Sequence, residues 1–286
     1  MKSIDTLVKD IYNLFNSDEI FMDEKEIDTY INEFGDNIKD HLKSSLFEKE
    51  RDKNNLRLSA IGRPDRQIWY DVNLNNKAQP FTSPTKIKFL YGYILEELLI
   101  ALSKIADHKV TDTQKELEVK GVKGHQDCMI DDVLIDCKST SPRGFDKFAK
   151  GDLIKDDPFG YIAQISAYAE GNNVDKAAFL AINKQTGEIC LSPVHSLEMI
   201  NAGDRIDYLK VMVKNNEPPN RCYSDVKDGV SGNRKLGTSC FYCNHKRECW
   251  KDVNNGKGLR VYDYAMGYRY LTKVVREPDV QEVLEW

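Results

Sequence analysis

Apolar residues recur at helical spacing near the start of the chain, where Ile4, Leu7, Val8, Ile11, Leu14 and Phe15 share one face over residues 3–15. Residues 23–50 repeat the pattern with Ile27, Ile31, Phe34, Ile38, Leu42 and Leu46, predicting one or two further helices. Gly62, Pro64 and Pro80 then surround an aromatic pair, Trp69 and Tyr70. Thr85 to Ile105 predicts a strong helix with Ile87, Leu90, Ile94, Leu98 and Leu102 on one side. From Glu116 the period shifts from 3.6 towards 2, and two strand-like runs flank Asp131-Asp132, the pattern of a tight hairpin. A helix follows around Tyr161–Glu170, then a second hairpin turning at Thr186-Gly187, then helical spacing over residues 196–214. The order helix, hairpin, helix, hairpin predicts an α/β or α+β domain, a mixed central sheet flanked by helices. The division expected is a helical extension over 1–56, a core over 57–218, and a cysteine-bearing segment with a mixed tail over 219–286.

Hydrophobic residues make up 41% and charged residues 30% of the 286 positions, a globular composition. No run of eighteen apolar residues predicts a membrane span, and the first fifteen residues lack a signal peptide's apolar core, so a cytoplasmic location is expected. The net charge of −5 is uneven: residues 1–56 carry 8 Lys and Arg against 14 Asp and Glu, and the remainder sums to +1. Any nucleic-acid surface must therefore be a local patch, because the global field does not supply it.

The first hairpin carries the candidate chemistry. With Asp131-Asp132 as a two-residue turn, Ile130 faces Val133, and counting outward sets Asp127 opposite Asp136. Lys138 shares the face of Asp136, while Cys128, Ile130, Val133, Ile135 and Cys137 form the other, core-like face. Two carboxylates in cross-strand register repel, and a hard divalent cation between them would remove that penalty. Lys138 could then orient a water for attack on a phosphate. Asp-x-Lys is a common tripeptide, and taken alone it reads more readily as a solvated sheet face on which the lysine pairs with the aspartates.

The order of motifs resembles the PD-(D/E)XK nuclease superfamily, in particular its RecB-type and lambda-type exonuclease branches. Gly92-x-x-x-Glu96 resembles the first acidic motif, Gly124-His125-Gln126-Asp127 the motif that supplies a metal ligand, and Asp136-Cys137-Lys138 the (D/E)-x-K motif. Gln164-x-x-x-Tyr168 resembles the Q-x-x-x-Y motif, whose spacing puts both side chains on one helical face. The resemblance spans about residues 58–250 and implies a restriction-endonuclease-like core. It implies that Glu96, Asp127 and Asp136, with the backbone carbonyl of Cys137, hold Mg²⁺ or Mn²⁺. Lys138 would position the attacking water, and Gln164 and Tyr168 would contact the nucleic-acid backbone or the metal-bound phosphate. Glu97 is the rival of Glu96 on the same helix. The activity implied is a metal-dependent DNA exonuclease of recombination, repair or phage DNA metabolism, with DNA and other recombination or replication proteins as partners and an oligomer left open. The alternatives are a CRISPR-adaptation-type nuclease acting with partner proteins and a non-catalytic DNA-binding subunit.

Four of the seven cysteines follow the spacing Cys222-x17-Cys240-x2-Cys243-x5-Cys249, which suits Zn²⁺ or an iron–sulfur cluster. The C-x2-C-x5-C ending resembles the iron–sulfur clasp of some RecB-type nucleases. Those carry a fourth cysteine upstream of the nuclease motifs, whereas this chain has none before Cys128 and offers Asp65 in the comparable stretch. Cys222 is then the natural fourth ligand. Ser59, Arg63, Arg66 and Gln67 read equally as a phosphate grip at a helix start or as an ordinary capped turn. Arg143 and Lys147, just after the Asp-x-Lys strand, are further candidates for DNA contact. By the same counting His125 faces Lys138 at the rim of the sheet.

Overall fold

The computed structural model describes residues 2–16, 22–47 and 55–284. In chain order its longer helices are α1 (Leu7–Asn16), α2 (Glu24–Phe47), α3 (Asp65–Asn73), α4 (Ser83–Ile105), α5 (Pro142–Ala149), α6 (Tyr161–Asn172) and α7 (Ala202–Met212). Strands β1 (Val110–Thr111), β2 (Glu116–Val119), β3 (Val122–His125), β4 (Cys128–Ile130), β5 (Val133–Thr140), β6 (Ala177–Asn183) and β7 (Ile189–Val194) precede five more: β8 (Val226–Lys227), β9 (Arg234–Lys235), β10 (Arg260–Tyr264), β11 (Gly267–Lys273) and β12 (Glu282–Val283). No helix among the described residues is long and apolar enough to cross a membrane.

The chain forms two compact units, one of Met1–Asp52, Leu56–Gly62 and Thr82–Leu209, the other of Lys53–Asn55, Arg63–Phe81 and Lys210–Trp286. This differs from the three consecutive segments expected. The N-terminal helices belong to the first unit because Leu7 and Ile11 of α1 are fully buried in the same cluster as Leu99, Ile130, Ile135 and Leu180. The segment around Trp69 and Tyr70 belongs to the second, where the Trp69 indole donates to the Asn215 carbonyl at 2.9 Å.

The sheet of the first unit has the order β1-β4-β5-β6-β7, with β5 and β6 parallel and every other pair antiparallel. A parallel pair needs a long crossover, and α5 and α6 supply it. All of β6 is buried, as befits a strand covered on both faces. One face, with Ala178, Leu180 and Ile182, joins the cluster of α1 and α4; the other turns Phe179 towards Phe148 of α5 and Tyr161 of α6. The expected hairpin is present, with Ile130 paired to Val133 and Cys128 to Ile135. Asp131 and Asp132 both have positive φ, the backbone a two-residue turn of this kind requires.

Two expectations are corrected. Residues 116–125 do not extend the first arm of that hairpin; β2 and β3 pair with each other as a separate two-stranded sheet. His125 accordingly pairs with Glu116 in that sheet and does not face Lys138. The apolar face predicted for α2 holds in part: Ile27, Phe34 and Ile38 are half-buried, Ile31, Leu42 and Leu46 are exposed, and polar and aromatic side chains join the side that meets α4. His41 stacks on Tyr93 at 3.6 Å, and Asn37 donates to Glu97 at 2.8 Å. Residues 48–50 of the predicted helical stretch lie outside the described residues.

The second unit is built on a five-stranded sheet of order β12-β10-β11-β9-β8. The tail, unassigned by its sequence pattern, forms the long β10–β11 hairpin at its centre.

Candidate active site

β4 ends at Cys128, opposite Ile135, so from Asp136 onward β5 has no strand partner on that edge. The exposed backbone donors of an edge need partners. The Asp127 carboxylate supplies one, accepting the Cys137 N–H at 2.6 Å. A residue's N–H and C=O leave an extended strand on the same side, so the Cys137 carbonyl is directed to that edge too, while its thiol belongs to the core.

Asp136 is fully buried, and the Lys138 ammonium lies against its Oδ2. Gln164 donates to Asp136 Oδ1 at 3.1 Å and lies 3.5 Å from the Tyr168 hydroxyl, so the two α6 side chains one turn apart face the same strand. α6 is fixed at its start by Asp157, which accepts the N–H groups of Gly160, Tyr161 and Ile162 at 2.9–3.0 Å. Gly124 is required by close packing: a Cβ there would stand 2.7 Å from Leu58 and 3.1 Å from the Tyr168 ring. Gly92 meets no such limit, with Ser139 Oγ at an ordinary 3.7 Å. Both α4 glutamates bear on Asp127, but Glu97 is held by Asn37, whereas Glu96 also shares its electrostatic surroundings with Asp136 and Lys138.

Burial, followed by the charges of Asp127 and Asp136, pushes the Glu96 carboxyl up to about 9. Burial and then the Asp136 charge push Asp127 up to about 7. Asp136 is raised by burial against the opposing pull of Lys138. Burial alone would lower Lys138, but Asp136 and Asp127 outweigh it and hold the ammonium above its ordinary range. Ionised together, the three acids would carry more negative charge than the one amine neutralises, so without a cation they hold on to protons; a hard cation relieves that condition. The donors fit such an ion: carboxylate oxygens with lone pairs beyond their present bonds, and one backbone carbonyl. Among the described residues no three His, Cys, Asp or Glu side chains are already drawn together as a metal cage.

Gln114 is a site residue that sequence reasoning missed. It donates to Glu96 Oε1 at 2.7 Å through its side chain, and its N–H donates to the Asp127 carbonyl at 3.0 Å. No pattern marked it, because its role arises from a loop with positive φ that joins two motifs in space.

The candidate DNA contacts divide. Arg66 is corrected: its guanidinium donates to Cys249 Sγ at 3.2 Å and to the Pro219 carbonyl, which makes it an internal tie of the second unit. The N–H groups of Arg66 and Gln67, at the start of α3, are directed at Cys222 and leave no phosphate grip there. Arg63 lies 3.5 Å from Asp71, and Lys147 is bound to Asp156 at 2.5 Å. Ser59 and Arg143 are exposed on the first unit.

In the second unit Cys222, Cys240, Cys243 and Cys249 line one cavity of about 40 Å³, with His245 a further donor in its wall. Burial and neighbouring sulfurs push the Cys240 thiol up to about 11, and Cys243 stands at about 11 for burial first. Backbone N–H groups directed at Cys222 and Cys243 favour thiolates. His245 is buried, its Nε2 2.7 Å from Asp71 Oδ1.

No protein-family model matches the chain, and no curated protein matches it. Among solved structures, the crystal structure of SSO0001 is similar at 16% identity and a TM-score of 0.43, covering 75% of this chain and 94% of that one.

Proposed function

We propose that this chain is a metal-dependent DNA nuclease of the PD-(D/E)XK class, an exonuclease in the first instance. The observation that carries the reading is the gathering of Glu96, Asp127, Asp136 and Lys138 at the open edge of β5, with Gln164 and Tyr168 behind them. These are the residues that the motif resemblance selected. A divalent ion held by the three carboxylates and the Cys137 carbonyl would polarise a phosphate and acidify water. Lys138 orients the attacking water from its place beside Asp136, and Gln164 fixes the Asp136 carboxylate from the other side. The four cysteines that line one cavity of the second unit would hold a structural zinc or [4Fe–4S] group.

The test is a time course on end-labelled linear DNA. Digestion of linear but not closed-circular duplex is expected, dependent on Mg²⁺ and abolished by EDTA; nicking of closed circles would reassign the protein as an endonuclease. Asp136→Ala and Lys138→Ala abolish cleavage and leave DNA binding measurable. Unchanged cleavage in either variant would remove this site from consideration. Purified protein should carry stoichiometric zinc or a broad visible absorbance, and a metal-free protein with an intact second unit would exclude the cysteine site.

A further inference from the structure

An aromatic stack leads from the candidate catalytic lysine to solvent. The Lys138 ammonium lies 4.8 Å from the centroid of the Tyr161 ring. Phe159 stacks on Tyr161 with centroids 5.4 Å apart and planes inclined by 26°. Behind them Phe148 and the fully buried Phe179 continue the aromatic packing into the core. Phe159 itself is 64% exposed.

A large apolar ring left in water costs free energy, and a mobile loop would let it fold away. Here the loop is held. Asp157 accepts three consecutive N–H groups just after Phe159. Gly160, at a φ of +76°, lies so close to Gly62 that a Cβ on either would stand 2.2–2.3 Å from the other's backbone. The ring is therefore presented at a fixed place, with one face stacked on Tyr161. Adding the two centroid distances puts it within about 10 Å of Lys138 Nζ. At roughly 3.4 Å of rise per phosphate along one stacked strand, that is a reach of about three nucleotides.

We infer that Phe159, backed by Tyr161, is a stacking platform for an unpaired nucleobase next to the bond being cut, so that the preferred substrate is single-stranded or frayed DNA. The inference rests on the nuclease reading of the Asp127, Asp136 and Lys138 site and adds the class of substrate. Base–aromatic stacking tolerates every base, so the platform selects unpaired over paired nucleotides and not one sequence over another. A base pair inside a duplex is already stacked on both sides and gives nothing to the platform.

The test measures binding of a labelled oligothymidylate of about 20 nucleotides by fluorescence anisotropy, with Ca²⁺ in place of Mg²⁺, alongside cleavage in Mg²⁺. Phe159→Ala should weaken binding by about 5- to 100-fold, the range of one lost stacking contact, and Phe159→Trp should retain it. The same oligonucleotide made abasic should bind the wild type as weakly as Phe159→Ala binds the intact one, with no further loss when the two changes are combined. Blunt duplex binding should be equal in wild type and Phe159→Ala. Equal oligothymidylate binding by wild type and Phe159→Ala in a protein that still cleaves DNA would overturn the platform and leave the nuclease reading standing, as would equal losses in the Ala and Trp variants. A wild type that neither binds the oligonucleotide nor cleaves any DNA overturns both.

Discussion

The first unit carries 34 acidic against 23 basic side chains, a net −11, whereas the second carries 12 against 18, a net +6. Their interiors differ as well. The first has an apolar cluster running from Leu7 and Ile11 through Leu99 and Ile135 to Leu180 and Ile189. Around its cysteines the second has a smaller cluster among the described residues, Leu236, Trp250 and Leu259, with Cys240, Cys249, Val253 and Tyr270 packed against them. A large core can hold carboxylates in electrostatic conflict and still fold; a thin one needs cross-links. The first unit therefore holds its crowded acids beside a broad apolar core, while in the second the candidate metal ligands Cys240 and Cys249 are themselves part of the packing.

The sharpest way to break that contrast is to neutralise one acid. Asp127→Asn should reduce cleavage by about a thousand-fold or more, the scale of losing a group that stabilises developing charge. The new amide oxygen can still accept the Cys137 N–H. With one repelling charge gone, the metal-free variant should melt no lower than wild type at pH 8. A variant that is inactive and also markedly less stable would mean that Asp127 acts only as an edge cap. The opposite behaviour is expected of Cys243→Ser. That substitution should release the bound metal and destabilise the second unit by about 4 kcal/mol or more, read as rapid proteolysis within residues 210–286. Retained metal and unchanged protease resistance would show that the cysteines are packing residues.

Next in size is a pH dependence confined to the first unit. Asp127 and Glu96 titrate in the folded protein at about 7 and about 9, above their unfolded values near 4. Between those limits the native state binds more protons than the unfolded state, so stability falls as pH rises. The loss begins above pH 4, at up to about 1.4 kcal/mol per pH unit for each retained proton, and ends for Asp127 near 7 and for Glu96 near 9. Mg²⁺ should flatten the curve, because it binds the ionised carboxylates and releases those protons. Urea unfolding at pH 5, 7 and 9, with and without Mg²⁺, reads both effects; a flat metal-free curve would mean that the acids do not crowd one another.

The same contrast governs how much the sequence revealed. The turn at Asp131-Asp132 and the alternation after it placed Asp136, Lys138 and the core face of Cys128 to Cys137 correctly, because a strand's two-residue period is a local property. Glu96, Gln164 and Tyr168 were legible from motif spacing on helices. Gln114 was not, since nothing local marks a residue whose partners lie 18 and 13 positions away. The face of α2 was read only in part, because Asn37 to Glu97 and His41 on Tyr93 add polar and aromatic contacts with α4 that an apolar stripe does not report. Residues 63–81 were assigned to the wrong neighbourhood because Arg66 meets Cys249 across 183 positions of chain.

The smallest effect tests whether strain in the first unit is confined to its acids or extends to the elements that hold them. Asp157 has no contact with the carboxylates; its work is at the start of α6, where it satisfies three N–H groups that the helix leaves open. Asp157→Ala should cost about 1–2 kcal/mol, the usual range for losing such a cap, and Asp157→Asn, which keeps one acceptor oxygen, should cost less. Because α6 carries Gln164 against Asp136, a frayed first turn should also lower kcat while leaving the pH profile of cleavage in place. Calorimetry on the three proteins gives the first quantity and the pH–rate profile the second. If Asp157→Ala moved the apparent pKa of cleavage as far as a change at Asp127 does, the helix and the acids would form one electrostatic unit, and the separation drawn between scaffold and site would have to be abandoned.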